Sequence, residues 1–316
     1  MYSLAATSRE NAEKIDRVQR SQFTRRKFLA SVPRNAEEAT RQLSYGKLHY
    51  RNQYYYESLP VYMKMVQLAL HQGCRNILEL GAGLSTALWA SYAERTKANI
   101  TTVDADFAPM RSYIPSPTDI AKIEANVKLV QGVSITATQL REHFESGPRS
   151  DFGGIPAKDV ASALDAFVLP MPEARVEQVN KAFASDQWTM SQLFLDRGGL
   201  VFPSKLLDKL SPSGRFAKDI AFLEQFSATV FDSQIDPNQI FDLIFFDSGE
   251  VSSAVEWLTL KDRIAIGGLA AFHDIFFPKS IKNFMVCAAI AADPKWRIVL
   301  FDDSTVQGLL IAQRLA

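Results

Sequence analysis

The sequence predicts an α/β fold: a seven-stranded, mostly parallel sheet whose last strand is antiparallel, with helices on both faces. Three observations predict it. Apolar, strand-like runs alternate with helical patterns over most of the chain, which is the signature of parallel strands buried on both sides. The first run breaks into a glycine-rich turn, ELGAGLST at 79–86, and resumes as a helix. The last two runs are separated only by DSTVQ, a link that permits a hairpin but cannot carry a parallel crossover.

The elements follow in order. The N-terminal arm and aromatic lid segment are expected over 1–56: residues 1–45 read as polar and helix-prone, with Arg17, Arg20, Arg25, Arg26 and Lys27 giving a local basic excess. It reads as a solvated helical arm or as one that touches a partner or membrane surface. The arm ends in an aromatic patch, YGKLHYRNQYYYE at 45–57. SLPVYMKMVQLALHQG then reads as a helix with Ser58 as cap, Pro60 in the first turn and Gly73 as stop. Strands are expected at 76–80, 100–104, 127–131, 241–247, 268–274, 296–302 and 308–313, and helices at 85–95, 118–126, 251–264 and 278–292. The stretch 135–235 interrupts this rhythm, with turn signals at SGPRSDFGGIP and LSPSGR and helical patterns at 173–196 and 215–227. A structureless loop of that length is improbable, so an inserted helical subdomain is expected.

Composition narrows the function. The formal net charge is +0, which argues against nucleic acid as main partner, because phosphate binding needs a clustered positive field. Cys74 and Cys287 are the only cysteines and form no metal-binding pattern; they read as buried thiols of a reducing compartment. The longest apolar run, FMVCAAIAA at 284–292, is about half the ~20 residues a membrane span needs and reads as a core helix. TRRKFLA at 24–30 resembles a twin-arginine export signal, but SVPRNAEEATRQ follows in place of an apolar stretch. A cytoplasmic location is expected.

Two ligand classes compete for the glycine turn. A dinucleotide fold wants a third glycine where Thr86 stands, and a carboxylate about 20 residues on for the ribose. Asp104 meets the second need, but so it would for any ligand with a ribose diol. Glu79 discriminates: it would repel a pyrophosphate and attract a ligand with an ammonium and a sulfonium. S-adenosylmethionine (SAM) carries both.

ILELGAG, followed by ITTVDAD, FDLIFFD and GGLAAFHD before a terminal hairpin, resembles the class I SAM-dependent methyltransferases over roughly 57–134 and 241–316. The resemblance implies a Rossmann-like methyltransferase domain at 57–316 that carries 135–235 as an insertion. It implies that Gly81, Ala82 and Gly83 let backbone approach the methionine portion, that Glu79 orients its amino group, and that Ser85 and Thr86 offer hydroxyls and amides at a helix start. Asp104, with Ala105 beside it, would take the ribose hydroxyls. Gly132, Val133 and Ser134 would flank the adenine. The family often has an acid where Val133 stands, to accept the adenine amino group, and here Ser134 or a backbone carbonyl must substitute.

Methyl transfer needs an aligned nucleophile and a route for its proton. The groups available at the ends of the fourth and fifth strands are Asp247, Glu250, His273 and Asp274. The pairing resembles small-molecule O-methyltransferases of the catechol type, which hold a divalent metal between carboxylates. Asp247 and Asp274 match two ligands, with Asp247 also reaching the cofactor. The third, an Asn, is replaced by Ile275, and Glu250 stands near the place of the family's lysine base. The open readings are Mg²⁺ or Mn²⁺ on Asp247 and Asp274, metal-free catalysis with His273 as base, or structural roles. His49, His71 and His143 read as surface or packing residues, and Asp302–Asp303 as a solvated turn.

Specificity would lie in the additions. Tyr54, Tyr55 or Tyr56 could close over SAM or pack the arm. Trp188, Met190, Phe194 and Phe202 could line an acceptor pocket, form the insertion's own core, or make a dimer contact. The expected function is O-methylation of a small-molecule or carbohydrate-like acceptor, in a protein with no membrane span that can form a homodimer. The alternatives are a catalytically retired fold used for binding or assembly, an aminopropyltransferase on decarboxylated SAM, or a dehydrogenase.

Overall fold

Seven strands form one sheet: β1 (Asn76–Leu80), β2 (Asn99–Asp104), β3 (Lys128–Gln131), β4 (Phe241–Phe246), β5 (Ile264–His273), β6 (Trp296–Asp302) and β7 (Leu309–Arg314). The computed structural model describes residues 53–114, 117–145, 147–167, 194–196, 199–200, 215–277, 280–305 and 307–316. The strand order is β6-β7-β5-β4-β1-β2-β3. β7 pairs antiparallel with β5 and β6, and the remaining pairs are parallel. The Rossmann-like sheet and its reversed last strand are as the alternation and the short DSTVQ link require. Strand order reverses between β1 and β4, which opens a crevice at their carboxyl ends.

The central strands are largely apolar because both faces are covered. On β4, Leu243 and Phe245 point into the layer of α1 (Gln53–Gln72), α2 (Leu84–Thr96) and, past α3 (Ala108–Tyr113), α4 (Pro117–Asn126). Ile244 and Phe246 point to the other layer, built by α5 (Ala137–Glu145), α6 (Ala157–Leu164), α7 (Arg215–Leu223), α8 (Ser252–Leu260) and α9 (Phe284–Ala292). This is the two-residue period of a strand used on both sides. In the second layer Trp257 packs edge-on against Phe246, Phe272 and Trp296. Every residue of α9 from Phe284 to Ala291 is buried, as expected of a core helix, and Cys74 and Cys287 are buried thiols. Among the described residues, no helix is long and apolar enough to cross a membrane.

Several boundaries differ from expectation. α1 begins at Gln53, so Ser58 and Pro60 lie inside the helix instead of capping it, and the expected boundary at 56/57 falls within it. Its end is as read: Gly73 takes φ 69° and Cys74 N–H returns to the Ala69 carbonyl. The helical pattern at 251–264 stops at Leu260, followed by a single tight turn to Arg263, and β5 starts at Ile264. The pattern at 278–292 becomes helix only at Phe284, because Ser280, Ile281 and Asn283 bond to β4, β5 and the loop after β4. Within the described parts of 135–235 the structure holds helices and also two short antiparallel pairs, Asp151–Phe152 with Ile155–Pro156 and Leu195–Asp196 with Gly199–Leu200. Leu140, Phe144, Val160, Phe167 and Leu223 of this stretch share one core with the sheet. Asp302 is not solvated: it is 5% exposed and pairs with Lys64 of α1, while Asp303 is exposed.

Candidate functional site

The crevice contains a cavity of about 240 Å³ walled by the ends of β1–β4 and by α7 and α8. Gly81, Ala82, Asp104, Ala105, Gly132, Val133, Ser134 and Asp247 line it, which brings together eight of the residues expected to bind the cofactor. Leu80, Val103, Ile135, Phe222 and Leu223 supply apolar wall. Four carboxylates face it: Asp104, Asp219, Asp247 and Glu256.

The turn after β1 is sewn to both neighbouring strands. Gly81 N–H bonds the Val103 carbonyl at 2.9 Å, and Asp247 N–H bonds the Leu80 carbonyl at 2.9 Å. Gly81 has φ 94°, and a Cβ there would stand 2.4 Å from the Asp247 carbonyl oxygen. What its missing side chain admits is therefore the Asp247 backbone. Asp104 Oδ2 accepts the Ala82 N–H at 2.7 Å and Oδ1 accepts the Asp106 N–H at 3.0 Å, which fixes the carboxylate while leaving lone pairs toward the cavity. Burial raises its pKa.

Glu79, Gly83, Ser85 and Thr86 lie outside the lining. Glu79 is fully buried, and its Oε2 accepts the Thr86 hydroxyl at 2.8 Å and the Thr102 hydroxyl at 2.7 Å. Thr86 Oγ1 also accepts the Gly83 N–H at 3.0 Å. The glutamate thus ties the start of α2 to β2 beneath the turn. Burial pushes its pKa from 4.5 to about 7, against the hydroxyls of Ser85, Thr102 and Thr86. A carboxyl raised in the fold stabilises fully below about 4.5, and that share is lost as pH rises through about 7. The gap amounts to ~3 kcal/mol. Glu79→Gln is expected to flatten the fall in urea-unfolding free energy between about pH 5 and about pH 8. Parallel curves for parent and variant would show that the glutamate does not titrate in this window.

Sequence reasoning missed Glu256. It is 1% exposed on α8, and its two oxygens accept the hydroxyls of Ser134 and Ser248. Burial raises its pKa. A single acid inside the apolar SSAVEWLTL helix was the available signal, and Val133 is the neighbour that lacks an acid.

Asp247 joins the cavity to a second cluster at the ends of β4 and β5. His273 Nδ1 lies 3.5 Å from Asp247 Oδ1 and 3.6 Å from Asp274 Oδ2. Tyr62 of α1 donates its hydroxyl to Asp247 Oδ2 at 3.2 Å, and its ring tilts over His273 with centroids 5.0 Å apart. Burial opposes charge on His273, yet Asp247 and Asp274 carry its pKa up to about 9. Lys282, also unforeseen, places Nζ 2.5 Å from Asp247 Oδ1 and 3.5 Å from Asp274 Oδ2. Burial opposes the charges on both carboxylates, and Lys282 holds both pKa values below the ordinary range. Glu250 stands beside this cluster: its Oε1 accepts the Ser280 hydroxyl at 3.0 Å and the Ile281 N–H at 3.1 Å, and its charge acts on Lys282. Asn283, fully buried, donates to the carbonyls of Phe246 and His273, clamping the two strand ends. Asp274 takes φ 57° to turn back toward the lysine.

The remaining expectations divide. Phe194 is buried against Phe277 and Phe284 in the shared core. His143 packs on Phe144 and Phe152, and His71 is exposed. The side chains of Tyr54, Tyr55 and Tyr56, together with His49, Trp188, Met190 and Phe202, lie outside the described residues.

No family model and no curated protein matches the chain. Among solved structures it is similar to the O-methyltransferase TomG from Streptomyces achromogenes, in complex with SAM, at 12% identity, TM-score 0.41 and full coverage of both chains. It is similar to an O-methyltransferase from Bacillus cereus in complex with SAH at 11% identity and TM-score 0.39, covering 98% of this chain and 99% of that one. A putative caffeoyl-CoA O-methyltransferase from Staphylococcus aureus follows at 13% identity and TM-score 0.38, covering 80% and 82%.

Proposed function

We propose that the chain is a SAM-dependent methyltransferase that methylates an oxygen of a small-molecule acceptor. The observation that carries this reading is the cavity at the switch point, whose walls offer four carboxylates. Such a wall repels the pyrophosphate of a dinucleotide and suits a nucleoside bearing a sulfonium and an ammonium. SAM supplies, when bound, a methyl group on a positively charged sulfur. Asp104 would hold the ribose hydroxyls with the lone pairs its backbone bonds leave open. Glu256, beside Val133 and Ser134, would accept the adenine amino group. Asp247 reaches both the cavity and the Tyr62–His273–Lys282 cluster. It would receive the hydrogen bond of the acceptor hydroxyl and turn the oxygen lone pair toward the methyl group; because Lys282 keeps this carboxylate weakly basic, it would take the proton only once the methylated oxygen has become strongly acidic.

Calorimetry tests this directly. SAM and its demethylated product should bind, and NAD should not. Asp104→Ala and Glu256→Ala should each weaken SAM binding by about 1.5–3 kcal/mol, the worth of a hydrogen bond to a charged group. Parent-like affinity in both variants would misplace the pocket, and tight NAD binding would overturn the assignment. A chain that bound neither SAM nor product would instead be a binding or assembly module on this fold.

A further inference from the structure

The loop between β5 and α9 carries a side chain that changes the chemistry of the acceptor side. Asp247, His273 and Asp274 offer ligand atoms within 4.8 Å of one another, the donor set of a divalent metal. Mg²⁺ or Mn²⁺ would need carboxylate oxygens at roughly 2 Å and an open coordination sphere. Here an ammonium occupies that position. Lys282 Nζ is 2.5 Å from Asp247 Oδ1 and 3.5 Å from Asp274 Oδ2, the same two oxygens that His273 Nδ1 faces.

The placement is built in. Lys282 is 7% exposed. Its backbone N–H bonds Ser280 Oγ at 3.1 Å, Ser280 and Ile281 are held by Glu250, and the following residue, Asn283, is anchored to the ends of β4 and β5. Two carboxylates already face one ammonium and one imidazole. A divalent ion added there would leave a buried lysine beside a second, stronger cation, with its carboxylate partners withdrawn.

We infer that the Lys282 ammonium is the resident cation of this cluster, so that Asp247 and Asp274 hold no divalent metal and the transfer proceeds without one. Only the last clause rests on the methyl-transfer reading. The fixed charge holds Asp247 at the junction of the cavity and the cluster.

Mn²⁺ titration of the full chain, followed by the electron paramagnetic resonance signal of the unbound ion, tests the cluster independently of SAM. The parent should take up no more Mn²⁺ than Asp274→Asn does. Lys282→Met should bind Mn²⁺ at least tenfold more tightly than the parent, and the double variant with Asp274→Asn should lose that gain. Lys282→Arg, which keeps a cation, should behave as the parent. The inference fails if the parent binds Mn²⁺ and loses it on Asp274→Asn, or if folded Lys282→Met gains nothing. Should Lys282→Met not fold, the parent against Asp274→Asn still decides. SAM binding, measured separately, decides the methyl-transfer reading, so either can fail alone.

Discussion

Gly81→Ala should lower the unfolding free energy by about 2–5 kcal/mol, combining the cost of a left-handed residue with that of overpacking. The cause is local and double. The residue sits at φ 94°, and the added methyl would stand 2.4 Å from the Asp247 carbonyl oxygen and 2.8 Å from its carbon. Both obstacles are backbone, and both are pinned: Leu80 O receives the Asp247 N–H and Val103 O receives the Gly81 N–H. No rotamer change relieves the contact, so β1 and β4 must part where they frame the cavity. SAM affinity should therefore fall together with stability. Urea denaturation alongside calorimetry reads both. A loss under about 1 kcal/mol would show that the turn and the end of β4 are not in the contact described, since substitutions free of such a mechanism usually stay within about 0.5 kcal/mol.

The second large effect is on turnover. Asp247→Asn should reduce kcat by about 10²–10⁴, the usual worth of a positioned acid or base. The amide keeps the shape of the side chain but not its proton affinity or its attraction for Lys282 and His273. The loss should fall on kcat more than on SAM affinity, because Asp104 and Glu256 are untouched. Removing one member of a buried ion pair also costs ~3–5 kcal/mol of stability, so the assay belongs well below the variant's melting temperature. An acceptor found by screening phenols, sugars and carboxylates makes the measurement possible. A folded Asp247→Asn with kcat within about threefold of the parent would remove Asp247 from the chemistry, being far below the usual acid–base contribution.

The sheet was legible in the sequence because it is buried on both faces. Runs such as FDLIFF have no polar side to lose, and all seven strands lie where the apolar runs lie. Asp104 and Asp247 were legible for the same reason, as polar residues that end apolar strands at the crevice. Glu79 was legible as important, but its place beneath the turn depends on Thr86 and Thr102, whose hydroxyls meet it only in the fold. Lys282 could not be read. It falls in a helix-like pattern, where a lysine means solvent, and it is held inward by Asp247 and Asp274, with Glu250, Ser280 and Asn283 fixing its backbone, contacts that exist only in the fold. Glu256 was hidden similarly, since helical periodicity says which face a residue occupies and not that the face borders a cavity. α1 starts at Gln53, five residues before Ser58, so the start signals that Ser58 and Pro60 carry fall inside the helix.

α1 precedes every strand, yet it reaches both ends of the chemistry. Its Tyr62 donates to Asp247 and covers His273, and two residues on its Lys64 grips Asp302 at the tip of β6. The helix is thus a strut lashed across the carboxyl edge of the sheet. A displacement of α1 would therefore be felt at Asp247 and at the terminal hairpin together.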